Sequence, residues 1–150
     1  MYTIATGTLI MIYMLTLTFS IICLVAQWKL FQKAGRKGWE ILIPFYNEWV
    51  LFKITGLNWW YFVISIVAGL LVYTKNLVII LLILAVEYYI IFARYYNIAK
   101  KAKQNPILYG LLAIFVPYVP ILVLGLSKNI TYDNNIKVSE HGPFGNKQTK

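Results

Sequence analysis

The sequence predicts an all-α integral membrane protein, and three observations support this prediction. Hydrophobic residues make up 60% of the 150-residue chain and charged residues only 13%, whereas soluble proteins have about half and about a quarter, respectively. The mean hydropathy is +0.67. Long apolar runs alternate with short segments that carry most of the lysines and arginines. This alternation is typical of membrane-spanning helices joined by cytoplasmic loops.

Four membrane-spanning helices are predicted, at about residues 4–28, 57–73, 77–96 and 107–126. The first apolar run is longer than the core of a signal peptide and follows no basic segment, so we expect it to remain in the mature protein. Only residues 74–76 separate the second and third spans, which therefore form an antiparallel hairpin. Pro117 and Pro120 predict a kink in the fourth span, because each proline removes a backbone N–H donor.

A shorter element, residues 39–54, follows the first span. Gly35 predicts the end of the first helix, since glycine is the common residue just after a helix C-terminus. Phe45, Trp49 and Phe52 then recur at helical spacing. This stretch is too short to cross a bilayer. It fits either an amphipathic helix at the membrane interface or a re-entrant segment that dips into the membrane.

The distribution of positive charge predicts the orientation. Loops 29–56 and 94–106 together hold nine Lys/Arg residues, whereas Lys75, Lys128 and Lys137 are the three expected near the opposite surface. Since cytoplasmic loops are enriched in lysine and arginine, both loops are expected inside and both termini outside. Residues 1–127 form the predicted membrane domain. The polar residues 128–150 are expected to be a mostly disordered tail.

The net charge of +9 does not indicate a nucleic-acid partner. The basic residues gather between apolar runs, as expected of a protein whose main partner is the lipid bilayer. The chain has one cysteine, one histidine and five acidic residues. Because the acidic residues are scattered, no metal site and no cofactor are predicted.

Residues 31–47 read FQKAGRKGWEILIPFYN. They resemble the F-x-K-A-G-x-x-G-W-x-x-L-I-P-x-Y-N signature of a family of small bacterial membrane proteins of uncharacterised function, some of them fused to or described as type I signal peptidases. The resemblance implies a multi-pass protein of the bacterial plasma membrane and no particular activity. It makes the motif residues candidates for an interaction or structural role: Phe31, Lys33, Gly35, Gly38, Trp39, Pro44, Tyr46 and Asn47.

Signal-peptidase activity itself is rejected on chemical grounds. That chemistry requires a serine nucleophile and a lysine base held together in a folded domain outside the membrane. Ser20 and Ser65 lie within predicted spans, while Ser127 and Ser139 lie at or within the polar tail. We therefore predict that the protein is not an enzyme.

Glu87 is the acidic residue that the sequence puts near the middle of the membrane, within the third predicted span. Ser65 lies at the same depth on the neighbouring span and is a candidate hydrogen-bond partner. Arg94 lies on the same helical face, ~10.5 Å further along the helix. An intramembrane carboxyl group is either a protonated packing residue, a contact to a partner helix, or a proton or cation site.

Two functions remain open from the sequence. In the first, the protein is a non-enzymatic accessory or interaction subunit that docks another membrane protein or complex through the basic, aromatic segment 29–56. In the second, it is a small transporter or ion-handling protein that uses Glu87. A purely structural interpretation of segment 29–56 also stands, in which the lysines set the orientation and the tryptophans anchor the chain at the interface.

Overall fold

The structure, a computed structural model, describes residues 2–74 and 76–144. Within these residues the secondary structure is helical, and no β-strand forms. The α-helices are α1 (Tyr2–Lys33), α2 (Tyr46–Thr55), α3 (Trp60–Leu71), α4 (Leu77–Lys101), α5 (Pro106–Phe115) and α6 (Tyr118–Leu126), and short 3-10 helices cover Gly38–Leu42, Val72–Thr74 and Gly142–Phe144. Two helical stretches, Thr6–Lys33 and Leu77–Lys101, are long and apolar enough to cross a membrane. The all-helical prediction is confirmed for the described residues.

The hydrophobic core lies at one end of the molecule, where the C-terminal ends of α1 and α4 meet. We call this the core end. Its buried side chains come from α1, α2, α4, α5 and α6 and include Leu30, Phe31, Val50, Ile54, Ile98, Ala99, Ala113 and Leu124. Residues 9–15 of α1 and residues 77 and 78 of α4, far from this end, are exposed and almost wholly apolar. Since water-exposed apolar patches of this extent are rare, these surfaces suit an apolar solvent such as lipid.

The first helix ends just before Gly35, as the sequence predicts. Gly35 has φ +76°, in the left-handed region that favours glycine. Its N–H donates to Gln32 O at 3.0 Å, and the Arg36 N–H donates to Phe31 O at 2.9 Å. These two bonds form a Schellman motif, which satisfies carbonyls that the helix leaves free at its C-terminus. The predicted helix end is confirmed.

After Gly35 the chain turns back along α1 instead of lying flat across the core end. Ile41 lines a cavity together with Phe19 and Cys23 of α1. Phe19 precedes Lys33 by fourteen residues, or ~21 Å along a helix axis. Residues 34–45 therefore descend toward the middle of α1, as a re-entrant segment would.

Helix α2 then returns to the core end, parallel to α4. Glu48 near its start contacts Arg94, and the Ile54 carbonyl near its end accepts a hydrogen bond from Lys101 Nζ. The turn between the descending and returning parts lies at Phe45, whose φ is +62°. We call residues 34–55 the inward loop. The sequence left two placements open for residues 39–54, an interfacial helix or a re-entrant segment, and this geometry favours the re-entrant segment.

Helices α3 and α4 form the predicted antiparallel hairpin. Ser65 of α3 and Glu87 of α4 face each other, with 3.4 Å between Ser65 Oγ and Glu87 Oε2. The side chain of Asn76 accepts hydrogen bonds from the backbone N–H groups of Val78 and Ile79, and so caps the start of α4. Lys75, in the connection, lies outside the described residues.

The predicted fourth span, residues 107–126, is not one kinked helix. Helix α5 leaves the core end after α4 and runs back along it, so that Gly110 packs against the Phe92 ring. Helix α6 runs the opposite way, parallel to α1. Tyr118 at its start contacts Phe19, with 5.2 Å between the ring centroids, and Gly125 near its end packs on Ala26.

The physical reason for this reversal is the break at Val116 and Pro117. Proline restricts the residue before it to extended conformations, and Val116 has φ −138° and ψ 76°. At ten and nine residues, α5 and α6 reach only ~15 Å and ~13 Å, about half of a ~30 Å bilayer core. The two helices form a hairpin whose two ends lie at the core end.

The structure also differs from the prediction of a disordered tail, for residues 128–144. This stretch is mostly irregular but lies against the core end, with Val138 fully buried. Its polar side chains bond to backbone carbonyls that helix ends leave free. The Tyr132 hydroxyl donates to Ile54 O at 2.6 Å, and the Asn134 amide donates to Ala34 O at 3.1 Å. Residues 145–150 lie outside the described residues.

This packing changes the predicted position of the C-terminal segment. The backbone N–H of Asp133 donates to Lys101 O at 2.9 Å, and the Asn58 N–H donates to Glu140 O at 3.0 Å. Residues 128–144 therefore lie at the same end as loops 29–56 and 94–106. The sequence predicts the C-terminal segment on the other side of the membrane from these loops, and this packing does not support that orientation for residues 128–144.

Candidate functional site

Several of the motif residues hold the inward loop and α6 against α1. Phe31 is fully buried in the core. The Lys33 ammonium donates to the carbonyls of Leu124 and Ser127, at 2.7 and 2.6 Å, and so binds the C-terminal end of α6. Gly38 is buried against the Trp28 ring, where a Cβ atom would lie 2.1 Å from the indole nitrogen. These contacts give Phe31, Lys33 and Gly38 a structural role.

The remaining motif residues lie near the bottom of the inward loop and are mostly exposed. Trp39, Pro44 and Tyr46 are exposed, and Phe45 between them has 75% of its surface free. The Asn47 amide donates to Ile41 O at 3.3 Å and so ties the two arms of the loop together. We call the exposed apolar residues Trp39, Leu42, Ile43, Phe45 and Tyr46 the loop tip.

An ion pair braces the descending arm above this tip. Arg36 Nε lies 3.0 Å from Glu40 Oε2, and the Glu40 side chain is nearly buried. The other end of the same guanidinium donates to the Tyr46 hydroxyl at 3.3 Å. Because a buried carboxylate needs a charged partner, this pair stabilises the fold of the loop itself and links its two arms.

The sequence predicted a contact between Glu87 and Ser65, and the structure has the two side chains within hydrogen-bond distance. The second carboxyl oxygen, Glu87 Oε1, is buried and has no hydrogen-bond partner among the described residues. A buried polar atom without a partner is destabilising unless the group is protonated or binds something else.

Arg94 does not pair with Glu87. Its guanidinium lies 3.0 Å from Glu48 Oε2 and 4.5 Å from the centre of the Phe52 ring. Its Nε donor is buried and lacks a partner within residues 2–74 and 76–144. Glu48 was not predicted from the sequence as the partner of Arg94. Two features of the sequence could have indicated this pair. Glu48 is one of only five acidic residues, and both Glu48 and Arg94 lie in or next to the predicted cytoplasmic loops.

A cavity of about 570 Å³ lies beside this ion pair, between α2, α3 and α4. Glu48, Arg94 and Ser65 form its polar part. The rest of its wall is apolar and comes from Phe45, Phe62, Ile66, Gly69, Leu70 and Tyr73. Leu70 and Tyr73 are themselves strongly exposed, so the cavity opens sideways between the helices.

The core end carries a strongly basic surface. Eleven of the fourteen Lys/Arg residues lie there: Lys29, Lys33, Arg36, Lys37, Lys53, Arg94, Lys100, Lys101, Lys103, Lys128 and Lys137. Lys101 is buried, with its ammonium 2.8 Å from Ile54 O and 5.9 Å from the centre of the Tyr132 ring. Lys29, Lys37, Lys53 and Lys100 are exposed, and free to meet anionic groups.

Two side chains of the C-terminal segment, Tyr132 and Asp133, have pKa values shifted from their ordinary values. Burial raises the pKa of Tyr132, so its hydroxyl keeps the proton that it donates to Ile54 O. The backbone N–H of Asn135 and the Lys103 ammonium hold the pKa of Asp133 below its ordinary value. Because this pKa is lowered in the folded state, the stabilisation is present above the ordinary carboxyl pKa and is lost on acidification through the folded-state value.

Comparison of the chain with protein families, with curated proteins and with solved structures finds no match. The resemblance of residues 31–47 to the small bacterial membrane family therefore stays a prediction. The features that bear on function are the loop tip, the carboxyl group of Glu87 and the cavity beside the Glu48–Arg94 pair.

Proposed function

We propose that the chain is an integral protein of the bacterial plasma membrane that crosses the bilayer three times. Helices α1 and α4 are each long enough to cross alone. Helix α3 has only twelve residues and crosses together with the 3-10 helix Val72–Thr74 that continues it, ~24 Å in all. The inward loop and the α5–α6 hairpin would enter the membrane from the cytoplasmic side and return. Two features support this topology: two helices of spanning length, and exposed apolar surfaces away from the core end. With the C-terminal segment at the core end, eleven basic residues lie on one side, a stronger asymmetry than the four-span topology gives.

Within that membrane the protein acts as a non-enzymatic accessory subunit, and the inward loop docks another membrane protein. One observation carries this proposal. Phe45 lies at the turn of the loop with three-quarters of its surface exposed and with φ +62°. A bulky residue rarely adopts this backbone conformation, and such strain is concentrated at functional sites. Lipid would cover the exposed ring, but it would not require the strained backbone, whereas a partner helix docked at Phe45 accounts for both.

A photo-crosslinking residue at Phe45 tests this function. We expect it to join the chain to a defined membrane protein in cells, because a docked partner lies within reach of the loop tip. The control is the same residue at Leu81, which is also well exposed but lies toward the other end of α4. Phe45→Ala should then reduce co-purification of that partner in mild detergent. Equal crosslinking from both positions, or lipid adducts alone at Phe45, would contradict docking by the loop.

Ion handling is the second candidate, and the free oxygen of Glu87 favours it. A buried carboxyl oxygen without a partner among the described residues is a place where a proton or cation could bind. The neighbouring Ser65 hydroxyl can hold the other oxygen in either protonation state. Yet only a few polar groups line the α3–α4 hairpin, and transport needs a continuous polar path.

Glu87→Gln separates the two functions. If Glu87 is a protonated packing residue, glutamine keeps the shape and the hydrogen bond to Ser65, and both folding and partner binding should change little. Glu87→Leu, by contrast, should lower stability by about 1–2 kcal/mol because Ser65 loses its partner. Thermal unfolding in detergent and proton or cation flux in proteoliposomes measure the two effects. A folded Gln variant that has lost a flux shown by the wild type would favour ion handling over the accessory role.

A further inference from the structure

We propose that the cavity between α2, α3 and α4 is a binding site for a single zwitterionic phospholipid, one whose head group joins a phosphate to an ammonium group. The proposal rests on the membrane placement argued above, and goes beyond the docking function. Its basis is the pairing of opposite charges at one end of the cavity with an apolar wall along the rest.

The charged end suits a head group with both signs. Arg94 lines the cavity and is 12% exposed in its side chain. A phosphate oxygen in the cavity can accept from its guanidinium, since guanidinium is the preferred partner of phosphate. Glu48 is 46% exposed in its side chain, so one carboxylate oxygen can hold the lipid ammonium while the other stays on Arg94. A purely anionic head group would lack this second contact and would face the carboxylate.

The apolar wall suits an acyl chain. Ile66, Leu70 and Tyr73 follow Ser65 along α3, and they lead away from the charged pair toward the end opposite the core end. From Ser65 to Tyr73 the helix rises ~12 Å. A lipid whose head group faces the cytoplasmic side would lay its chain along this wall toward the bilayer centre. The sideways opening next to Leu70 and Tyr73 gives such a lipid access from the bilayer. A soluble phosphate compound has no acyl chain and would leave this apolar wall uncovered.

Gly69 offers a way to fill the cavity without disturbing the fold. It lines the cavity, and a Cβ atom at this position would meet no atom within 4 Å. Gly69→Phe should therefore occupy the site of the acyl chain while α3 stays intact. Gly7→Phe is the matched control, since Gly7 lies in α1 and is equally free of neighbours.

The test titrates the full-length protein in detergent with phosphatidylethanolamine or phosphatidylglycerol of identical chains and counts bound lipid by native mass spectrometry. We expect a preference for phosphatidylethanolamine, a loss of affinity for both lipids of about ten-fold in Gly69→Phe, and no change in Gly7→Phe. Glu48→Gln removes the ammonium contact but keeps Arg94. It should therefore erase the head-group preference, a change of about ten-fold in the ratio of the two affinities.

Three results would overturn the lipid site. One is an unchanged affinity in Gly69→Phe, and another is an unchanged head-group preference in Glu48→Gln. The third is displacement of the lipid by soluble phosphoethanolamine at equal concentration, which would assign the site to a free phosphate compound. A chain that stays soluble without detergent would instead refute the membrane placement, so the two failures are distinguishable.

Discussion

Gly125→Ala should lower the free energy of unfolding in detergent by about 2–3 kcal/mol, the size expected when a tightly packed contact is overfilled. Gly125 lies where α6 crosses α1, and a Cβ atom there would lie 2.1 Å from the Ala26 carbonyl oxygen. This neighbour is backbone in the middle of a helix and cannot rotate away. The added methyl group must push α6 off α1, and small residues at such crossings are what allow membrane helices to pack closely.

The displacement would also weaken the end of α6. Lys33 of α1 reaches the Leu124 and Ser127 carbonyls only because the two helices are close. Gly69→Ala is the control, because it makes the same change inside an apolar helix but meets open space. Alanine is favoured over glycine in helices by up to about 1 kcal/mol, so this control should be neutral or stabilising. Equal stability of the two variants would contradict the close crossing of α1 and α6.

The sequence predicted the features that depend on local or nearly local rules. The end of α1 at Gly35 follows from the need to cap a helix C-terminus with positive φ. The α3–α4 hairpin follows from the short connection, and the facing of Ser65 and Glu87 follows from their equal distances from it. In each case the deciding residues lie within one or two neighbouring elements.

The α5–α6 reversal could not be predicted, because an apolar run interrupted by Pro117 fits both a kinked span and a tight hairpin. Contacts with α1, which is distant in sequence, favour the hairpin. Gly125 packs on Ala26, and the Lys33 ammonium binds the C-terminal end of α6. The Glu48–Arg94 pair was missed for the same reason, since the dip of the inward loop brings the two residues to one depth.

The C-terminal segment was misjudged from its composition. Asparagine-rich, weakly apolar segments are often disordered because they bury little surface. Here Asn134 and Tyr132 bond to carbonyls at the ends of α1 and α2, groups that every helix leaves free. These bonds form only because the ends of α1, α2 and α4 meet at one place, where Asp133 also bonds to Lys101 O, and composition does not indicate such an arrangement.

Cysteine labelling should give an all-or-none result on which side of the membrane this segment lies. In a Cys23→Ala background, single cysteines replace Lys103 after α4, Lys137 in the C-terminal segment, or Asn76 at the start of α4. All three positions are exposed. An impermeant maleimide applied to intact spheroplasts should label Asn76→Cys, which lies in the connection between α3 and α4.

Lys137→Cys and Lys103→Cys should react only after the membrane is permeabilised. The reason is that residues 128–144 are bound to the core end: Asp133 pairs with Lys103 at 3.5 Å, and the Asn97 amide donates to Ser139 O at 3.0 Å. A four-span chain would instead carry Lys137 on the outer surface, and Lys137→Cys would then be labelled together with Asn76→Cys. That outcome would mean that α5 and α6 cross the membrane as one helix, and that the hairpin does not form in the bilayer.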